Sequence, residues 1–155
     1  MNVSVISVNK TLEGIQRLFF DTAPLIYFVE EIVAYLERIK TILQLLDAGK
    51  FVSFTSVVTL TEILSLPMRS GDAVLIQKHR NFLLHSQNLA LIKIDISIAM
   101  QAAELRSKYN LRTADALQIA SALSVNCDMF LTNDKQLRRV TELRVLVLDD
   151  LERVT

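Results

Sequence analysis

Five short apolar runs alternate with stretches of helical periodicity along this chain, and few architectures accept that order. The runs are Leu18–Asp21, Phe51–Thr55, Leu89–Ile94, Met129–Thr132 and Val145–Leu148. The first is a continuous apolar run ended by Asp21 and Thr22, which suits a strand buried on both faces. Between them the spacing predicts helices. The first opens near Pro24 and carries Leu25, Ile26, Phe28 and Val29, and the second covers Glu31–Asp47 and is stopped by Gly49. A third, Val57–Leu66, is capped by Ser56 and ended by Pro67. After the turn at Ser70, Gly71 and Asp72 come Ala73–Ser86, Ser97–Tyr109, Thr113–Ser124 and a short Asp134–Val140. Strand–helix alternation implies right-handed crossovers and a parallel sheet covered on both faces.

At 155 residues the chain suits one core, because single domains cluster at roughly 100–150 residues. An N-terminal arm over 1–17, leading into a short helical turn, is expected to precede one domain over 18–155. Seventeen basic and seventeen acidic residues cancel, so any nucleic-acid contact must come from local patches and not from an overall basic field. The lone Cys127 cannot form an internal disulfide and reads as a small buried hydrophobe in a reducing cytoplasm. No apolar stretch approaches the roughly 20 residues a membrane span needs, and Met1–Lys10 does not resemble a signal peptide. A cytoplasmic protein is expected.

Four acids stand where strands hand over to helices or in the helix that follows. Asp21 closes the first run, Asp134 follows the fourth, Glu62 lies on the helix after the second, and Asp115 opens the helix leading to the fourth. Taken singly, each has a plain explanation. Asp21 and Asp134 are good N-caps, and Asp115 suits the positive end of its helix dipole. Glu62 is harder to dismiss, since Val58, Leu60, Ile63, Leu64 and Leu66 make its helix largely apolar. In an open parallel sheet the carboxyl ends of the strands converge on one crevice. Two carboxylates about 4 Å apart repel by roughly 4 kcal/mol at an effective dielectric of 20. A divalent cation would offset that cost, and an all-oxygen donor set suits Mg²⁺ or Mn²⁺. Such an ion activates water against a phosphodiester. There is no zinc-type Cys/His set, and His79 and His85, six residues apart, read as solvated or packing side chains.

Thr22, Thr132 and Asn133 flank the acids and are candidates for holding a phosphate oxygen or a metal-bound water. Among Lys108, Arg112, Lys135, Arg138 and Arg139, Arg112 is the strongest candidate for a backbone phosphate because it lies so near Asp115.

Four blocks carry a resemblance: Phe20–Tyr27 (FDTAPLIY), Thr61–Leu64 (TEIL), Thr113–Ala120 (TADALQIA) and Phe130–Asp134 (FLTND). In that order they resemble the signatures of PIN domains, above all the VapC-type toxins of toxin–antitoxin systems, from about Leu18 to Leu148. The resemblance implies a three-layer α/β fold with a five-stranded, mainly parallel sheet ordered 3-2-1-4-5 and flanked by helices. It implies Mg²⁺- or Mn²⁺-dependent endoribonucleolytic cleavage of single-stranded RNA. Asp21, Asp115 and Asp134 would bind metal, and Glu62 would bind it or position water. It also implies a cognate antitoxin and a homodimer.

Rival readings are separable. A receiver domain wants a pair of adjacent acids after its first strand, and a haloacid-dehalogenase-type phosphatase wants Asp-x-Asp, where position 23 is Ala. A catalytically silent PIN-like domain that binds RNA or protein is disfavoured by the four intact acids. A DNA nuclease stays open, because the metal chemistry is indifferent to the sugar.

Overall fold

The computed structural model describes residues 8–151, so the expectations for residues 1–7 and 152–155 lie outside the described residues. Five strands, β1 (Arg17–Phe20), β2 (Val52–Ser56), β3 (Leu89–Ile92), β4 (Met129–Thr132) and β5 (Arg144–Val147), form one sheet in the order β3-β2-β1-β4-β5. Every pairing is parallel. The central register sets Leu18 beside Met129, Phe19 beside Phe130 and Phe20 beside Leu131.

The α-helices that follow β1 among the described residues are α1 (Thr22–Val29), α2 (Val33–Asp47), α3 (Val57–Ser70), α4 (Ala73–His85), α5 (Ile96–Tyr109) and α6 (Thr113–Ser124). They cover the sheet on both sides, giving three layers. Side-chain alternation in β1 and β4 divides the core accordingly. Leu18, Phe20, Met129 and Leu131 pack with Leu25, Ile39, Ile42, Ile63 and Leu83 from α1–α4. Phe19 and Phe130 point the other way, among Ile98, Ala102, Leu105, Ala116, Ile119 and Ala120 from α5 and α6. Their rings stack at 5.3 Å, and both are wholly buried, a gain of about 1.5–3 kcal/mol each. Val8, Leu12 and Ile15, ahead of β1, are buried in the first of these cores.

Several boundaries differ from those read in the sequence. Pro67 does not end its helix, because α3 runs on to Ser70 with Pro67 inside it. Proline forfeits one backbone donor there. The last turn is nevertheless closed by Gly71 in the left-handed conformation (φ 70°), with Asp72 N–H donating to the Pro67 carbonyl. Helix α2 begins at Val33 and not Glu31, because Glu31 takes φ 53° and Ile32 N–H turns back to the Tyr27 carbonyl. Strand β3 stops at Ile92, two residues early, and Asp95 caps α5 by accepting from Ile98 N–H. The stretch after Asp134 is a five-residue 3-10 helix, Lys135–Arg139.

A buried cation holds the C-terminal side. Arg38 on α2 is 2% exposed and donates to the carbonyls of Leu148, Leu151 and Ala34.

Candidate active site

Strands β1 and β4 end side by side, and Asp21 N–H extends their ladder by donating to the Leu131 carbonyl at 2.8 Å. The next residues turn into α1, and Asp21 caps it, accepting from Thr22 N–H at 2.9 Å. The cap reading and the cleft reading are therefore compatible. Oδ1 serves the helix while Oδ2 accepts from Thr132 Oγ at 2.7 Å. Burial pushes the Asp21 pKa from 3.8 to about 6, against the lowering effect of the Thr132 and Thr22 hydrogen bonds, and the charges of Asp115 and Glu62 add to the rise.

Glu62 projects from α3 at the rim and is exposed, with its Oε1 accepting from Thr22 Oγ at 2.6 Å. Asp115, in the first turn of α6, is 9% exposed. It meets the Arg112 guanidinium through Nε at 3.0 Å and a longer Nη contact at 3.4 Å. Asp134 caps its 3-10 helix, accepting from Gln136 N–H, while its own N–H donates to Thr132 Oγ at 3.1 Å. Asn133 is held between the Tyr27 hydroxyl, to which it donates, and Asp149 N–H, from which it accepts.

All four acids, with Thr22, Arg112, Thr132, Asn133 and the unforeseen Tyr27, line one cleft of about 290 Å³. Lys108, Lys135, Arg138 and Arg139 do not line it. Lys108 pairs with Glu142, and Arg138 with Asp150. His79 is buried on α4 against Glu30, and His85 is exposed, both away from the cleft.

Below the carboxylates lies a polar layer whose joining through Gln118 the sequence does not reveal. Thr55, Ser56, Thr59 and Gln118 are each at most 1% exposed. Gln118 donates to Thr59 Oγ at 2.7 Å and accepts from Ser56 Oγ at 2.5 Å. The available signal was polar residues one turn from an acid on otherwise apolar helices: Thr59 three before Glu62, and Gln118 three after Asp115.

Among the described residues no three His, Cys, Asp or Glu side chains stand close enough, as placed, to hold a metal ion. The donor set itself fits a hard divalent cation, since four carboxylates face one guanidinium and one of them is pushed towards protonation. Like charges in a shared cleft separate, and here Arg112 draws Asp115 while Thr22 holds Glu62.

Comparison with the curated proteins finds no match. Solved structures do match. VapBC2 from Rickettsia felis, solved with a DNA fragment from its promoter, has a TM-score of 0.70 at 18% identity, covering 85% of this chain and 98% of that one. Mycobacterium tuberculosis VapC20, described as a sarcin–ricin loop cleaving toxin, has a TM-score of 0.63 at 18% identity, covering 82% and 98%. A toxin–antitoxin complex from Klebsiella pneumoniae has a TM-score of 0.62 at 22% identity, covering 84% and 97%. At such identities they speak for the fold. The PIN domain family model matches residues 18–143, which is most of the chain, and the chain belongs to the PIN domain family.

Proposed function

We propose that the protein is a Mg²⁺- or Mn²⁺-dependent endoribonuclease that cleaves single-stranded RNA and serves as the toxin of a toxin–antitoxin pair. The observation that carries the reading is the convergence of Asp21, Glu62, Asp115 and Asp134, from four separate elements, on one cleft. Asp21, Asp115 and Asp134 would hold the cation, with Glu62 as a further ligand or as the group that positions water. Completing the site requires side-chain rotation, chiefly of Asp115 out of the Arg112 fork. When bound, the ion supplies a water of lowered pKa and neutralises charge on the phosphoryl group.

The chain's own residues do the rest. Arg112, 77% exposed along its side chain, is free to swing from Asp115 to a backbone phosphate. Thr132 fixes the Asp21 carboxylate, and Asn133 fixes Tyr27 at the wall of the cleft. Ala23 and Ile26 give part of that wall an apolar surface.

The toxin role is supported by the VapBC neighbours, and it brings a cognate antitoxin as partner. A homodimer is part of the same reading. Exposed Ile96 and Met100, one turn apart on α5, and Leu66 and Met68 on α3 offer apolar surface for such contacts. None of the described helices is long and apolar enough to cross a membrane, and a cytoplasmic site of action is proposed.

The test is cleavage of end-labelled single-stranded RNA and DNA, with mapped ends, in Mn²⁺ and in EDTA. Metal-dependent RNA cleavage, abolished by Asp21→Asn, is expected. Cleavage of DNA alone would make it a DNA nuclease. RNA binding without cleavage in any metal would make it a silent RNA-binding domain.

A further inference from the structure

We propose that Gln118 is a positioning residue: its side-chain amide, anchored by Ser56, sets the Thr22 hydroxyl to donate to Glu62 and so presents that carboxylate to the cation site. The proposal rests on the reading of the cleft as a metal site.

The argument is a count of protons. Thr22 Oγ lies 2.6 Å from Glu62 Oε1. A carboxylate only accepts, so the single Thr22 proton is spent on Glu62. Thr22 Oγ must then accept from its remaining neighbours, Thr59 Oγ at 3.1 Å and Gln118 Nε2 at 3.3 Å. The amide nitrogen has two protons and no lone pair to offer, so it can only donate there. Its second contact is Thr59 Oγ at 2.7 Å, and Asp21 Oδ1 lies at 3.5 Å.

What keeps the nitrogen on that side is the other end of the amide. Gln118 Oε1 accepts from Ser56 Oγ at 2.5 Å, and Ser56 Oγ is itself the acceptor that caps α3 through Val58 N–H at 3.1 Å. Ser56 therefore has its proton available for Gln118. One neutral side chain thus ties the cap of the Glu62 helix, the helix of Asp115 and the residue after Asp21 into one directional network. Thr22 is 9% exposed and Ser56, Thr59 and Gln118 are more deeply buried, so water does not readily substitute for the amide. Groups that orient metal ligands typically alter metal affinity 10- to 100-fold when removed.

The experiment measures Mn²⁺ dissociation constants by electron paramagnetic resonance on metal-free protein, with melting temperatures taken without metal. Gln118→Met keeps volume and removes both donors, Thr22→Val removes the donation to Glu62, and Thr22→Ser restores it. Mn²⁺ binding about tenfold weaker in Gln118→Met and Thr22→Val, with Thr22→Ser within about twofold of wild type, is expected. A lowered melting temperature with an unchanged dissociation constant would reduce Gln118 to a structural role and overturn the proposal. Should Gln118→Met not fold, the Thr22 pair decides, and equal affinities for Val and Ser would overturn it. Wild-type protein that takes up no Mn²⁺ would end both the metal-site reading and this proposal. Wild-type binding matched by Gln118→Met would end the proposal alone.

Discussion

Thr132 Oγ donates to Asp21 Oδ2 at 2.7 Å and accepts from Asp134 N–H at 3.1 Å, so one buried hydroxyl joins the first and last acids of the cleft. The join exists because β1 and β4 are neighbours, with Phe20 in register with Leu131, and both strands end at the same level. The sheet order reverses between these two strands, and that is where open α/β sheets place their ligands.

Asp21 makes the metal-free protein less stable as pH rises. Its folded pKa, about 6, lies above its ordinary value of 3.8, so between those limits the native state binds more protons than the unfolded chain. Stability therefore falls as pH rises through that window, and the penalty is complete above it. Two pKa units amount to about 3 kcal/mol. Asp21→Asn in EDTA should melt several degrees above wild type at pH 7.5, with the difference vanishing below about pH 4. Calorimetry at a series of pH values checks this. A pH-independent difference would contradict it.

Most of the fold was legible because Leu18–Phe20 in β1 and Met129–Leu131 in β4 are uninterrupted apolar runs and the helices keep their period. Pro67 was misread because the rule that proline ends helices is local. A buried proline and a left-handed Gly71 outweigh it. The four acids were legible because each stands where a strand hands over to a helix or in the helix that follows. The layer beneath them was not, since Gln118 meets Ser56 and Thr59 only through the packing of α6 against β2 and α3. Thr22 and Thr132 stood out as flanking hydroxyls, and their protons go to Glu62 and Asp21.

Arg112 competes with any cation for Asp115. Arg112→Ala should therefore tighten Mn²⁺ binding several-fold by calorimetric titration. The same change should weaken RNA binding and reduce its salt dependence by about one phosphate contact. The cost in stability should stay below about 1 kcal/mol, because the Arg112 side chain is 77% exposed. Looser Mn²⁺ binding would show that Arg112 helps to build the site.

Arg38 carries a larger structural load. Its guanidinium caps the Leu148 and Leu151 carbonyls from 2% exposure and lies over the Tyr35 ring at 4.8 Å. Arg38→Met fills similar space and leaves those carbonyls without that donor, at a cost of about 2–4 kcal/mol. Urea denaturation measures the loss. An unchanged midpoint would show that the C-terminal turn does not depend on Arg38.

Cys127 should resist thiol reagents in the native state. It is 7% exposed, and burial pushes its pKa up to about 12, so almost no thiolate exists at pH 8. Reaction with a disulfide reagent should be at least about a hundredfold faster in denaturant, where the thiol returns to its ordinary range near 8.5. Equal rates would mean that the strand beside it opens readily.

Mn²⁺ should raise the melting temperature, and the rise should itself depend on pH. A cation binding only the folded protein stabilises it by about 2.7 kcal/mol at a hundred times its dissociation constant. Below pH 6 the ion must displace the proton from Asp21 before it can bind, so uptake releases protons and affinity falls. At fixed Mn²⁺ concentration the shift in melting temperature should be large at pH 7.5 and small at pH 5. Asp21→Asn should show little shift at either. A wild-type shift of equal size at both pH values would place the ion away from Asp21, and with it the chemistry assigned to this cleft.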